Sequence, residues 1–229
     1  MMKADFLTID ANKMKANARW IAILCLFGAS PLASAAFLVE VWDLGSSDVT
    51  SIAAAEAPMG GPSSASGYYD DVNFNDEFLH YDGEFSGSNS LFPLLLDDTF
   101  SLRATAEIII EDAGTYTFGF NSDDGAVLRL NGVDIVTDDS VHAPRTRLST
   151  FSLSAGSYGI ELIYFENHGA GTIELFSALG TYAAFDPGAF RLIGDVAGGG
   201  IATTAVPIPP ALLLMGSALI GVFFRRRQR

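Results

Sequence analysis

Asp123 and Asp124 stand side by side before Gly125, in the stretch FNSDDGAVLRLNG that runs from Phe120 to Gly132. Two neighbouring carboxylates can neutralise one divalent cation, and Ca²⁺ takes roughly six to eight oxygen ligands at ~2.3–2.6 Å. The same triplet has a plainer use, because Asp bonds nearby backbone N–H groups in turns and Gly supplies positive φ. On an extended strand adjacent side chains point to opposite faces, so only an unusual backbone brings both carboxylates to one ion. A turn and a metal site are both open readings of the triplet itself.

Other chemistry is poorly supplied. The histidines His80, His142 and His168 match no catalytic or zinc-binding spacing. Carboxylates are numerous enough that a glycosidase-like pair could be assembled at will, which carries no weight. The chain is therefore read as non-enzymatic. Charge narrows the partners further. Residues 36–205 carry 25 Asp and Glu against five Arg and no Lys, a net charge of −20. Such a surface repels phosphate backbones and anionic lipid, which excludes a nucleic-acid partner and suits a divalent cation. The plain alternative is solubility, with most of these carboxylates facing water.

The elements that must position these groups are strands. Tyr116, Phe118 and Phe120 alternate after a turn at Glu111–Gly114, and AVLRL and VDIV flank Asn131-Gly132, a strong two-residue hairpin signal. FSLSAGSYGIELIYF reads as a further hairpin across Ser154–Ser157, with Tyr158, Ile160, Leu162 and Tyr164 alternating. Ile173 and Leu175 share a face in TIELF, and FLVEVWDL reads as a first strand. Residues 56–90 are rich in Gly, Ser, Asp and Asn and read as long loops between short strands. Asp186-Pro187-Gly188 reads as a turn. Short strands with Gly-rich turns and no sustained helical period predict an all-β, antiparallel β-sandwich over residues 36–190, with Tyr116, Phe118, Ile160 and Leu162 in its core.

Both ends differ from this body. Lys13, Lys15 and Arg19 lead into the apolar run Trp20–Ala29, and Ala33-Ser34-Ala35 follows, so residues 1–35 read as a secretory signal peptide with cleavage after Ala35 or Ala36. Met14-Lys15 would open a cleaner signal than Met1 or Met2. Cys25, the single cysteine, lies inside that run behind Leu24 rather than a small residue, so lipid attachment is not expected. Residues 191–205, including GDVAGGGIATTA (Gly194–Ala205), read as a flexible Gly-rich linker. Residues 206–229, VPIPPALLLMGSALIGVFFRRRQR, form a distinct tail. Its 14 apolar or small residues from Ala211 to Phe224 make ~21 Å of helix, short for a ~30 Å hydrocarbon core. The arginines at 225–227 would hold that end on the cytoplasmic side.

The Val-Pro-x-Pro opening, short apolar segment and terminal Arg cluster resemble the PEP-CTERM class of sorting signals, in its Val-Pro variant. That resemblance implies an exosortase as processing enzyme, a Gram-negative bacterium, and a transient inner-membrane anchor before delivery to the cell surface or extracellular matrix. Val206-Pro207-Ile208-Pro209 departs from the Pro-Glu-Pro that gives the class its name, which leaves the particular exosortase open. An ordinary C-terminal anchor is the alternative.

The ordered set Gly114-x-Tyr116-x-Phe118, Ser122-Asp123-Asp124-Gly125, Asn131-Gly132 and Tyr164-Phe165-Glu166 resembles the β-sandwich domain first named from the anthrax protective antigen. The match is dense over residues 100–176 and thinner from residue 40. That domain also occurs in yeast flocculins and adhesins, bacterial adhesins and some glycosidases. In its lectin members, paired aspartates joined by a cis peptide coordinate Ca²⁺, which in turn binds sugar hydroxyls. The resemblance implies that Asp123 and Asp124 are these metal ligands. It also implies a second ligand-binding loop at Asn167, His168 and Gly169, where Asn167 offers a carbonyl and His168 a ring to pack on a sugar. His142 falls where the family often has a structural histidine. The resemblance thus implies an exported, calcium-dependent carbohydrate-binding protein, adhesin or lectin-like, with neutral glycans or exopolysaccharide as partners. The rival expectation is a structural surface or matrix protein whose Ca²⁺ serves folding alone.

Overall fold

The computed structural model describes residues 37–76, 83–85, 90–93 and 99–205. The expected signal peptide, the apolar tail helix and His80 lie outside these residues. Among the described residues, strands form two sheets. The first contains β1 (Phe37–Gly45), β2 (Ala65–Tyr69), β5 (Thr99–Ile110), β7 (Ala126–Leu130), β8 (Val133–Asp138), β10 (Gly156–Asn167) and β13 (Thr203–Thr204). Its order is β2-β1-β5-β10-β7-β8, with β13 also paired to β5. The second contains β3 (Asn73–Asn75), β4 (Ser90–Leu91), β6 (Gly114–Asp123), β9 (Arg145–Leu153), β11 (Thr172–Leu179) and β12 (Arg191–Leu192). Its order is β4-β3-β11-β6-β9, with β12 also paired to β11. Pairing is antiparallel except between β3 and β4.

Period-two alternation sends one side chain in two to the space between the sheets. Leu102, Ala104, Ala106 and Ile108 of β5 meet Phe118 and Phe120 of β6 there, together with Ile160, Leu162, Ile173 and Leu175. Tyr116, Phe118, Ile160 and Leu162 are all buried, as the alternation predicts. Each large apolar side chain so placed is worth about 1.5–3 kcal/mol against exposure. The outer faces are partly covered as well. A short helix, α1 (Ile52–Glu56), is capped by Ser51, whose Oγ accepts the Ala54 N–H at 3.2 Å. It lays Ile52 and Ala55 over Val127, Ile163 and Phe165. On the other sheet Phe176 and Phe190 pack with Phe85, Tyr182 and Phe185. β10 from Leu162 to Glu166, and β11 up to Ala178, are thus buried on both faces.

The Asn131-Gly132 turn joins β7 to β8 with φ of 50° and 78°, the left-handed pair that a tight hairpin needs. The other expected hairpin does not form. β9 pairs with β6 in one sheet, and β10 pairs with β5 and β7 in the other. The segment at Ser154–Ser157 therefore crosses between sheets. Residues 194–205 also depart from a flexible linker. The Ile109 N–H bonds the Ala202 carbonyl at 3.0 Å and the Gly194 N–H bonds the Ile201 carbonyl at 2.9 Å, while β13 joins the sheet. Close approach accounts for Gly194 and Gly200, since a Cβ on Gly194 would strike the Asp70 carbonyl and one on Gly200 the Leu192 carbonyl.

Candidate metal centre

The site lies at one end of the sandwich, where β6 finishes at Asp123 and β10 finishes at Asn167. Asp123 pairs with Thr172 at the start of β11, which in turn pairs with Asn75 of β3. Asp76, just after β3, and the loops after β6, β8 and β10 all reach this end.

The Asp123–Asp124 peptide is cis, and both carboxylates face one point. Glu166 joins them: one oxygen from each of Asp123, Asp124 and Glu166 lies within 4.8 Å of the other two. Oxygens on opposite sides of a calcium ion are separated by about 5 Å, twice the Ca–O distance, so the spacing fits a shared ion. Gly125 follows for reasons of space. It is not among the positive-φ glycines. A Cβ there would lie 2.5 Å from the Phe165 ring and 2.8 Å from the Asp138 carbonyl.

Each carboxylate is set differently. Asp124 is 2% exposed and both its oxygens are held: Oδ1 accepts the His142 N–H at 2.6 Å and Oδ2 the Asn167 N–H at 2.9 Å. Glu166 is 1% exposed, and its Oε1 has no hydrogen-bond partner among the described residues. The Tyr164 hydroxyl lies 3.1 Å from Glu166 Oε2 and 2.5 Å from the Asp123 carbonyl oxygen. Tyr164 stacks on Phe92 with 5.8 Å between ring centroids, and Phe100 closes the aromatic floor beneath the site. A Cβ on Gly171 would lie 2.8 Å from the Tyr164 hydroxyl, so only glycine lets the β10–β11 loop pass so close. Asp76, just past β3, is a fourth carboxylate nearby and accepts the Gly171 N–H at 2.5 Å.

No positive charge balances this group among the described residues. Arg103 pairs with Glu40, Arg129 with Glu56, Asp134 and Glu161, and Arg145 and Arg147 with Asp138. Arg191 donates to backbone carbonyls. The electrostatics follow. Burial first, then Asp124 and Asp76, push Asp123 up to about 7. Burial first, then Asp124 and Asp123, push Glu166 up to about 9, against the opposing pull of the Tyr164 hydrogen bond. Without a cation the cluster holds protons near neutral pH, and a divalent ion would displace them. The buried, unpartnered Glu166 Oε1 and the all-oxygen donor set fit a hard cation such as Ca²⁺.

The second expected loop is beside the cluster, with its groups partly engaged. Asn167 Oδ1 accepts the Val49 N–H at 2.7 Å. His168 adopts φ 85°, with Nε2 3.0 Å from Asp48 Oδ1 and Nδ1 3.3 Å from Thr99 Oγ1. His168 and Gly169 are exposed. The His142 side chain is buried, as a packing role requires. Its Nδ1 lies 2.9 Å from the Ala143 carbonyl, and its Nε2 lies 3.3 Å from Asp138 Oδ2 without the alignment of a hydrogen bond. Glu166 was not expected as a ligand. Its signal was present in the alternation, because Ile160, Leu162 and Tyr164 face inward and Glu166 continues the same phase.

The family model described as the PA14 domain matches residues 68–182. The chain belongs to the PA14 domain family. Solved structures share the fold at low identity. The PA14 domain of the MpAFP antifreeze protein superposes with a TM-score of 0.58 at 19% identity, covering 76% of this chain and 93% of that one. The sugar-binding PA14 domain of an RTX adhesin gives 0.51 at 17% identity, with 67% and 96% covered. The Epithelial Adhesin 9 A domain from Candida glabrata, in complex with Galb1-3GlcNAc, gives 0.52 at 10% identity, with 75% and 90% covered. A search of curated proteins finds no match.

Proposed function

We propose that this PA14 domain is a calcium-dependent carbohydrate-binding module of the adhesin or lectin-like kind. The observation that carries the reading is the convergence of Asp123, Asp124 and Glu166, with one buried carboxylate oxygen that has no partner, and no counter-charge, among the described residues. These three residues would hold Ca²⁺, which supplies positive charge and coordination positions that sugar hydroxyls can fill. The partly exposed Asp123 and the exposed His168 and Gly169 leave one side of the cluster facing solvent. His168 offers a ring against which a sugar can pack. The net charge of −20 over residues 36–205 favours neutral glycans over acidic ones. The sugar-binding RTX adhesin domain and the glycan-bound Candida domain, both of the same fold, support a carbohydrate partner.

The sequence of the two ends supports the remaining parts of the reading. Residues 1–35 direct export, and residues 206–229 direct exosortase-type sorting through a transient membrane anchor to the surface or matrix of a Gram-negative bacterium, where exopolysaccharide is a ready partner. Among the described residues no helix is long and apolar enough to cross a membrane.

A second reading keeps the metal and drops the sugar. Asp124 and Glu166 are 2% and 1% exposed, which suits a calcium ion that only pins loops together. A glycan array probed with calcium and again with chelator tests both. Glycan binding that needs calcium and disappears in Asp123→Asn is expected. Calcium binding with a blank array would leave the structural reading in its place.

A further inference from the structure

The carboxylate that both readings need most, Asp124, does not hold its own position. Its Oδ1 depends on the His142 N–H, and His142 lies in the β8–β9 loop, between a strand of one sheet and a strand of the other. This loop passes from Asp138 to Arg145, and Asp138 ties its neck. Asp138 is 6% exposed and accepts from Arg145 Nε at 2.5 Å and also from Arg145 Nη2. Arg147 Nε lies 2.7 Å from Asp138 Oδ2, and the Ser140 hydroxyl donates to Oδ1 at 3.2 Å. Arg145 Nη2 reaches back to Ser140 Oγ at 2.8 Å. His142 Nε2 stands 3.3 Å from the same carboxylate. The clamp therefore joins the edge of one sheet to the edge of the other and encloses the residue whose N–H orients Asp124.

The bidentate pairing with Arg145 is geometrically directional, since a planar guanidinium fixes both the distance and the plane of the carboxylate it meets. Burial opposes the charge on Asp138, and the Arg145 hydrogen bond, with His142 and Arg147 alongside, outweighs it and holds the carboxyl below its usual range. The Asp138 carbonyl also sits where a Cβ on Gly125 would be 2.8 Å away, so the same residue packs against the backbone that follows the aspartate pair. Side chain and main chain of Asp138 thus both bear on the metal site, without Asp138 offering it a ligand.

We infer that Asp138, clamped by Arg145, is a positioning residue for the cation: it fixes the β8–β9 loop so that the His142 N–H aims Asp124 into the cluster. The inference rests on the proposed metal site. Residues that orient metal ligands commonly cost about 10–100-fold in metal affinity when changed. Asp138→Asn keeps the volume and removes the charge that both arginines need, and a loss in that range is expected.

The test measures calcium affinity by calorimetry and Tb³⁺ affinity by luminescence in wild type, Asp138→Asn, Arg145→Lys, Asp124→Asn and the double variant Asp124→Asn/Asp138→Asn. Glu40→Gln, which breaks the remote Arg103 pair, is the control for losing an ion pair of the same sheet. Asp138→Asn and Arg145→Lys should each weaken calcium binding at least tenfold, while Glu40→Gln leaves it unchanged. Asp138→Asn should add little in the Asp124→Asn background, because its effect passes through that carboxylate. The His142 amide proton should move upfield in Asp138→Asn as its bond to Asp124 lengthens, a signature that a general loss of stability does not produce. Wild-type affinity retained in folded Asp138→Asn and in Arg145→Lys would overturn the inference. An undiminished Asp138→Asn effect in the Asp124→Asn background would do the same. Should wild type bind neither cation, the metal site itself fails, a different result from either.

Discussion

Replacing Glu166 with Gln should make the protein more stable without calcium and less stable with it. Gln keeps the volume and can still accept from the Tyr164 hydroxyl, but it carries no charge. In the cation-free fold the Glu166 carboxyl is pushed from 4.5 up to about 9 by burial and by Asp124 and Asp123. A carboxyl with a raised folded pKa leaves stability intact below its unfolded value, and that stability drains away as pH climbs towards the folded value. The window here runs from pH 4.5 to about 9. At pH 7, two and a half units into it, the cost reaches about 3 kcal/mol at about 1.4 kcal/mol per unit. For a domain of this size that is a melting shift of roughly 6–12 °C. Calcium reverses the order at about a thousandfold excess over its dissociation constant, where wild type gains ~4.1 kcal/mol, more than the cost of about 3, and a variant that no longer holds the ion gains nothing. Thermal melts of both proteins from pH 5 to 9, with chelator and with calcium, read all of this. Parallel pH profiles in chelator would refute the electrostatic argument, and equal calcium gains would refute Glu166 as a ligand.

Apparent calcium affinity should climb between pH 6 and 9, as the ion has fewer protons to displace from Asp123, near 7, and Glu166, near 9. Titrations in buffers of different ionisation heat would count those protons, and a pH-independent affinity would contradict the assignment. Gly171→Ala places a Cβ 2.8 Å from the Tyr164 hydroxyl and 3.2 Å from Phe92, so overpacking should cost about 1–3 kcal/mol in a chelator melt and weaken calcium binding together. Deleting residues 206–229 should release the protein to the medium or periplasm. Fractionation that finds it still on the surface or in the matrix would count against a sorting role.

The fold was largely readable because alternation is a local signal. Tyr116, Phe118 and Phe120 announce their face within five residues, and Asn131-Gly132 specifies its own turn. Which strands pair is not local. Ser154–Ser157 has hairpin composition, yet its strands go to different sheets, and nothing within the segment distinguishes a tight return from a crossover. The Gly-rich stretch 194–205 misled for a related reason, since glycine serves close packing against Asp70 and Leu192 there. At the site, Asp123 and Asp124 were visible as a pair, whereas their environment was not. Glu166 stood in the inward phase of β10, a charged residue where the pattern asked for an apolar one. Its meeting with Asp124, 42 positions earlier in the chain, is a product of the fold. The Val49 bond to Asn167 likewise spans 118 positions, and no spacing rule reaches so far.

The central claim is that Asp123, Asp124 and Glu166 share one calcium ion, and calorimetric titration of chelator-stripped protein tests it most directly. Wild type should bind one Ca²⁺ per chain with release of protons, and Asp123→Asn should lose most of that affinity while remaining folded in chelator. Absence of any binding heat together with a wild-type melt indifferent to calcium would contradict the account, as would undiminished binding by Asp123→Asn.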